Sequence, residues 1–149
     1  MKTLRTLLIG DIVGNPGRQY LSENLRRLIT EYKVNFTVAN IENAAAGFGF
    51  TKKIYQEFQD LGVNAFTGGN HIYRQKETTA NFNDYTALVR PLNFAPETPG
   101  VGYRIFSHQG LKIAVISLIG RVFMGEFDSP FHAVRNALEI VRRETNLIL

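Results

Sequence analysis

Short apolar runs alternate along the chain with segments whose apolar residues follow a helical period. Residues 4–10 form an apolar run that closes at Asp11, which is typical of a buried parallel strand followed by a turn. One face of residues 18–32 is apolar at helical spacing, which predicts a helix there. That face consists of Leu21, Leu25, Leu28, Ile29 and Tyr32. The segment Phe36–Asn40 is then predicted to be the second strand.

The same alternation continues through the middle of the chain. Thr51 is a predicted N-cap for a further helix, and Gly62 is its predicted end. The apolar residues of this helix are Ile54, Tyr55, Phe58 and Leu61. Residues 64–67 are predicted to form the third strand and residues 87–90 the fourth. Between them, the polar residues 73–84 are predicted to be helical.

A hairpin and a helix are predicted for the last third of the chain. Residues 102–107 and 111–119 flank a His-Gln-Gly turn and are predicted to pair in antiparallel fashion. Ser129 and Pro130 mark the start of a helix. Its predicted buried residues are Phe131, Val134, Leu138 and Val141. The apolar run at 147–149 is a predicted strand of the kind that lies inside a sheet, so the chain is expected to be truncated there.

The alternation predicts an α/β fold with a layered, mostly parallel sheet and flanking helices, and the composition restricts its chemistry. The 149 residues contain no Cys, so any metal needs oxygen and nitrogen ligands. No apolar run approaches the roughly 20 residues of a membrane span, and a cytoplasmic protein is expected. The net charge is +4, but the 17 Lys and Arg are scattered, which favours solvated helix surfaces over binding of duplex nucleic acid.

Polar side chains follow three of the predicted strands, at the point where each strand ends. Asp11 follows the first strand, Glu42 and Asn43 follow the second, and Asn70 and His71 follow the third. Ligands of parallel sheets bind at the carboxyl ends of the strands, so these side chains are expected to meet at one edge. Each also has a structural interpretation, as a helix cap, a solvated loop residue or a backbone hydrogen-bonding partner. Their convergence at equivalent strand ends favours a functional site.

These residue types suit a metal-dependent hydrolase. Asp and Glu supply anionic oxygen, Asn supplies a neutral carbonyl oxygen, and one carboxylate can bridge two cations. Two ions about 3.5 to 4 Å apart can bind a phosphate oxygen and activate water, while a nearby imidazolium protonates the departing oxygen. His71, next to Asn70, is the candidate for that proton transfer.

Two other interpretations of the first motif fail. The glycine-rich residues 10–18 lack both the Gly-Lys-Ser/Thr of a P-loop and the GxGxxG spacing of a dinucleotide site. A serine esterase with a Gly-Asp-Ser block needs a nucleophile at position 12, where this chain has Ile12. Nucleotide binding by a P-loop and serine hydrolysis are therefore not expected.

Several longer blocks resemble one known family. GDIVGNPGR, ANIENAAAGFGFT, GGNHIY, RPLNFAPETPGVGY and ISLIGRVFM are similar to successive blocks of the YmdB-like bacterial phosphodiesterases, within the calcineurin-like metallophosphoesterases. The resemblance runs from about Leu7 to the last residue. It implies that residues 1–149 are the N-terminal part of a single metallophosphoesterase domain whose C-terminal part is absent.

The resemblance also implies a role for each polar residue. Asp11 and Asn43 are expected to bind a first metal ion, Glu42 to bridge both ions and Asn70 to bind the second. His71 is expected to donate a proton. The implied cofactors are two divalent or mixed-valence ions, with Fe or Mn as the expected metals.

The chain departs from the family pattern at two places. Tyr73 and Arg74 differ from the aromatic-acid pair expected after the Asn-His motif, which affects the expected substrate contacts. Three further histidine ligands of the family, from two later blocks, are not present in the sequence. His108 and His132 do not match those blocks and are expected to be surface residues.

The implied function is hydrolysis of 2′,3′- or 3′,5′-cyclic nucleotides through a binuclear metal centre, with weak or no activity in the truncated chain. The expected partner is a small cyclic nucleotide or another phosphodiester, without a membrane, and a homo-oligomer is left open. The alternative is a metal-poor half-domain that binds a phosphate-bearing ligand or a partner chain and performs no catalysis.

Overall fold

A computed structural model describes residues 3–149 of the protein. The strands are β1 (Thr6–Asp11), β2 (Phe36–Asn40), β3 (Ala65–Thr67), β4 (Leu88–Val89), β5 (Tyr103–His108) and β6 (Leu111–Ile116). The helices are α1 (Gly14–Glu31), α2 (Lys52–Leu61), α3 (Lys76–Ala80) and α4 (Pro130–Val141), with a short 3-10 helix at Phe82–Asp84. The predicted α/β class, with a parallel sheet and flanking helices, is confirmed. Within residues 3–149, no helix combines the length and the apolar character that crossing a membrane requires.

The four strands β1 to β4 form one parallel sheet in the order of the chain. Asp11 at the end of β1 is level with Asn40 at the end of β2, and Asn40 is level with Thr67 at the end of β3. A register shift between Ile9 and Asp11 adjusts the pairing at this edge. Because the strands are parallel, their carboxyl ends and the loops that follow them lie along a single edge of the sheet.

The parallel sheet buries apolar side chains on both of its faces. Ala39 belongs to the larger core, together with Leu25 of α1 and Phe58 of α2. The preceding residue, Val38, faces the other way and belongs to a second core with Ile113 of β6. Successive residues of β2 are thus buried on opposite faces, which explains why the strand is an almost continuous apolar run.

The hairpin of β5 and β6 forms as predicted, with its turn at residues 109–110. The last residues of the chain extend this second sheet. The amide of Ala114 donates to the carbonyl of Leu147 at 2.8 Å, and its carbonyl accepts from the amide of Leu149 at 2.9 Å. Ile148 bridges Ala114 in parallel orientation. The apolar run at 147–149 therefore pairs with β6, as expected of a strand.

The first helix is longer than its apolar pattern predicted. It begins at Gly14 rather than at residue 18, because its first turn consists of Gly, Asn and Pro residues that carry no periodic apolar signal. At the other end, Tyr32 lies just beyond the helix and is 60% exposed, so it does not belong to the buried face.

The polar segment 73–84 is only partly helical. Helix α3 has five residues, and a 3-10 helix follows at Phe82–Asp84. The hydroxyls of Thr78 and Thr79 both donate to the carbonyl of Gln75 at 2.9 Å, and such side-chain bonds compete with regular helical hydrogen bonds. The prediction of one continuous helix was therefore wrong.

The burial predicted for α4 is wrong at its first turn. Phe131 is 76% exposed, because it lies on a different side of the helix from Ala137 and Val141, which are the buried residues. Ser129 precedes the helix as predicted, but its side chain makes no capping hydrogen bond.

Thr51 and Ser129 provide a matched test of capping. Oγ1 of Thr51 accepts a hydrogen bond from the amide of Ile54 at 3.3 Å. We expect Thr51→Ala to lower the free energy of unfolding by about 1 kcal/mol, because this amide loses its partner. Ser129→Ala is expected to leave the free energy of unfolding unchanged, because the Ser129 side chain makes no capping hydrogen bond. Urea unfolding of both variants measures the difference, and equal losses would contradict the capping role of Thr51.

Candidate active site

The side chains at the ends of β1 and β2 meet through a hydrogen bond. Asp11, the last residue of β1, is exposed, and its Oδ2 accepts a hydrogen bond from Nδ2 of Asn43 at 2.7 Å. The backbone carbonyl of Asn43 accepts from the amides of Gly14 and Gly47 at 2.9 and 3.0 Å. Asn43 is therefore held by the start of α1 and by its own loop, with its side chain directed to Asp11.

Asn43 also joins the loop after β3 to this pair. Its Oδ1 lies 2.6 Å from Nδ1 of His71. Because an amide oxygen only accepts hydrogen bonds, Nδ1 carries the hydrogen of this bond and Nε2 is the nitrogen left for other groups. A hydrogen-bonded row thus runs from Asp11 through Asn43 to His71.

The carboxylate of Glu42 is held at both of its oxygens. Oε2 accepts from the backbone amide of His71 at 3.1 Å, and Oε1 accepts from Nδ2 of Asn40 at 3.3 Å. The same carboxylate lies against Gly69, where a β-carbon would come within 2.5 Å of Oε2. Glycine at position 69 therefore leaves the space that the carboxylate occupies.

Asn40 is a site residue that the sequence did not predict. Its Oδ1 accepts from the backbone amide of Glu42 at 3.0 Å, so both ends of its amide group contact Glu42. The available signal was a polar residue at the end of an otherwise buried strand. Asn40 orients the carboxylate of Glu42 relative to the end of β3.

Asn70 differs from the other predicted site residues. It lies in the turn between Gly69 and His71 and is exposed. Its side chain makes no hydrogen bond with any of residues 3–149. The structure thus joins Asp11, Glu42, Asn43 and His71 in one bonded cluster and places Asn70 next to it.

Arg18 and Phe48 shape the loop after β2, and neither was predicted. Nη1 of Arg18 donates to the carbonyl of Ala44 at 2.6 Å, and Nε2 of Gln75 donates to the carbonyl of Phe48 at 2.7 Å. The ring of Phe48 packs against the ring of His71 with centroids 4.9 Å apart, yet it remains 54% exposed. Phe48 is therefore an exposed aromatic surface beside the candidate proton donor.

The two remaining histidines lie outside the site. His132 is exposed on α4, as predicted. The surface prediction for His108 is wrong, since its ring packs edge-on against Phe36 with centroids 5.5 Å apart. Its Nε2 is buried and has no hydrogen-bond partner among residues 3–149. The reason is strand alternation, which turns His108 and Phe106 of β5 towards the same ring of Phe36.

Tyr73, where the sequence departs from the family pattern, has a structural role. Its hydroxyl donates to the carbonyl of Pro99 at 2.5 Å. Burial raises the pKa of Tyr73 to about 12, and the nearby charge of Arg90 acts in the opposite direction. The phenol therefore stays protonated at neutral pH and ties the turn after β3 to the segment before β5.

The candidate site offers the oxygen ligands that hard divalent cations prefer. Asp11 and Glu42 supply anionic oxygens, and Asn43 and Asn70 supply amide oxygens. In the part of the chain that the structure describes, no group of three or more His, Asp or Glu side chains can hold an ion. The amide oxygens would therefore have to take part in binding an ion. Gly69 leaves room for the Glu42 carboxylate, and the hydrogen bonds from Asn40 and His71 hold it there.

The layered fold and the polar strand ends define a domain of the metallophosphoesterase type. The structure of a 5′-nucleotidase precursor from Thermus thermophilus shares the fold, with a TM-score of 0.63 at 14% identity over 97% of this chain and 36% of that protein. The chain belongs to the YmdB-like protein family, whose model matches residues 7–149.

Two relatives are more similar in sequence. The chain is 45% identical to the 2′,3′-cyclic-nucleotide 2′-phosphodiesterase of Bacillus subtilis strain 168, over 86% of this chain and 48% of that protein. The crystal structure of a phosphatase from Mycoplasma pneumoniae matches the whole chain with a TM-score of 0.90 at 30% identity, and 54% of that protein is covered. The chain thus spans about half the length of these relatives, and its resemblance to the family is confirmed.

Substitution of Gly69 tests the position of Glu42. We expect Gly69→Ala to lower the free energy of unfolding by about 1 to 3 kcal/mol, because the new methyl group displaces the carboxylate from its hydrogen bonds. Gly10→Ala is the matched control, since a β-carbon at position 10 meets nothing within 4 Å. Chemical denaturation measures both variants. A Gly69→Ala protein as stable as Gly10→Ala would show that Glu42 does not occupy this space.

Proposed function

We propose that the protein is a metal-dependent phosphodiesterase that hydrolyses 2′,3′- or 3′,5′-cyclic nucleotides at the carboxyl ends of β1, β2 and β3. The observation that carries this proposal is the hydrogen-bonded row of Asp11, Asn43 and His71, with Glu42 bonded to the backbone of His71. The name of the Bacillus subtilis relative supports a 2′,3′-cyclic nucleotide as the first substrate to test. A cytoplasmic location and a small phosphodiester as partner belong to the same proposal.

The proposed cofactors are two divalent or mixed-valence ions, iron or manganese. Asp11 and Asn43 would hold one ion, Asn70 would hold the other, and Glu42 would contribute its carboxylate to both. These ions would supply Lewis-acid stabilisation of the negative charge on the phosphate and would lower the pKa of a water molecule. Asn40 acts as a positioning residue, because it holds the amide and the carboxylate of Glu42.

His71 is the proposed proton donor. As an imidazolium it carries a hydrogen on each nitrogen, and its Nδ1–H is engaged by Oδ1 of Asn43. Nε2–H is therefore the group that protonates the ribose oxygen when the P–O bond breaks and a water oxygen joins the phosphorus. The ring of Phe48 packs against the imidazole at a tilt, with the centroids 4.9 Å apart.

Replacement of His71 tests the proton-donor role. In the protein translated from its complete reading frame, His71→Ala is expected to lower kcat by about 10²- to 10⁴-fold. The assay follows hydrolysis of 2′,3′-cyclic AMP with Mn²⁺ by chromatography. His132→Ala is the matched control and is expected to retain the wild-type rate, because His132 is exposed on α4. Wild-type turnover by both His71→Ala and Asn70→Ala would rule out the mechanism.

Low turnover by residues 1–149 alone is part of the proposal. The ligands proposed within this segment are two carboxylates and two amides. Because these are few ligands for two ions, we expect the segment to bind metal weakly. We expect little hydrolysis of 2′,3′-cyclic AMP by this segment with added Mn²⁺. Robust turnover that a chelator abolishes would contradict this expectation.

The competing proposal is a metal-poor half-domain that binds a phosphate-bearing ligand without catalysis. The orientation of Asn43 favours it, since the amide nitrogen rather than the oxygen faces Asp11. Titration with inorganic phosphate, once with Mn²⁺ and once with a chelator, distinguishes the two proposals. Phosphate binding that persists without metal and in Asp11→Ala would support the half-domain. Phosphate binding that requires both the metal and the Asp11 side chain would support the enzyme.

A further inference from the structure

A cavity of about 700 Å³ lies beside the segment that follows β4 and the start of β5. None of the five candidate active-site residues lines it. It is lined by apolar residues, including Leu92, Phe94 and Tyr103, and by the cationic residues Arg90 and Arg104. This volume falls within the range of about 300 to 1,000 Å³ that is usual for sites of small molecules.

Among the residues that the structure describes, Arg90 is a buried cation without an anionic partner. It is 6% exposed, and its Nη1 donates a hydrogen bond to the carbonyl of Pro91 at 2.8 Å. Its Nε is buried without a partner, and none of the salt bridges found among residues 3–149 includes it. Because a guanidinium stays charged at all relevant pH values, its burial is costly unless an anion pairs with it.

Arg104 lines the same cavity and, like Arg90, forms no salt bridge within residues 3–149. It is half-buried, and its Nε is also buried without a hydrogen-bond partner in the described chain. Asp128 lines the cavity too, but within residues 3–149 it forms no ion pair with either arginine. The cavity is therefore lined by two arginines, each of which has an Nε without a hydrogen-bond partner among residues 3–149.

We propose that this cavity binds a small organic oxyanion, a carboxylate or a phosphate monoester, attached to an apolar body. Arg90 and Arg104 hold the oxyanion, because a guanidinium offers parallel N–H donors that match two oxygens of one anion. Leu92, Phe94 and Tyr103 contact the apolar body. This site is independent of the proposed phosphodiesterase function, and its test needs neither metal nor turnover.

Isothermal titration calorimetry of the purified protein, freed of metal ions on a chelating resin, tests the proposal with three probes. Phenyl phosphate and benzoate carry the two kinds of oxyanion on the same aromatic body, and phenol carries none. We expect saturable binding of at least one anion, with phenol at least about tenfold weaker because it cannot form charge-assisted bonds with the arginines. The tighter of the two anions identifies the kind of oxyanion that the cavity prefers.

Arginine variants assign the binding to this cavity. Arg104→Gln and Arg90→Gln are each expected to weaken the binding by about tenfold or more, since each removes a charge-assisted contact. Arg121→Gln is the matched control, because Arg121 is exposed and lines a different cavity. If Arg90→Gln does not fold, the affinity of Arg104→Gln for the anion tests the proposal by itself. No binding of either anion at millimolar concentration, or equal affinity of wild type and Arg104→Gln, would overturn the proposal.

Discussion

The parallel pairing of β1, β2 and β3 is the constraint on which the candidate site depends. Because Asp11, Asn40 and Thr67 are level across the sheet, the three loops that follow begin at the same edge. Only short side chains are then needed to connect these loops. Asn43 connects all three, since its side chain bonds Asp11 and His71 while its carbonyl holds the start of α1.

The parts of this structure that sequence predicts well depend on local chemistry. The bounds of α2 follow from Thr51, whose hydroxyl caps the helix, and from Gly62, which ends it at a φ of 108°. The convergence of polar strand ends was also predictable, because it follows from parallel topology alone. The Asn43 to His71 contact was not, because it depends on how the glycine-rich loop at 44–49 turns.

Long-range packing explains the wrong prediction for His108 and the two site residues that were missed. His108 was expected on the surface because a hairpin turn is usually solvated, but Phe36 of the opposite sheet covers its ring. Asn40 and Phe48 acquire their roles only through contacts with Glu42 and His71. Pairing between distant residues of this kind leaves no periodic trace in a single sequence.

The two proposed binding regions differ in the charge of the residues that form them. Asn70 is exposed in the turn that contacts the Glu42 carboxylate, and both side chains offer oxygen ligands to a cation. Most buried polar groups of a folded protein are hydrogen-bonded, so exceptions require an explanation. Arg90 is buried beside a cavity and lacks a carboxylate partner in the described chain, which suits an anion. The two regions thus have opposite charge preferences.

Paramagnetic broadening of amide NMR signals by Mn²⁺ tests most directly whether the strand ends form one cation site. At low Mn²⁺ concentration, the signals of Asp11, Asn43 and His71 should broaden together, because the effect is confined to the neighbourhood of the bound ion. The signal of His132 should remain sharp, since it lies on α4. Broadening centred instead on the acidic residues of another cavity, such as Glu77, would contradict the account.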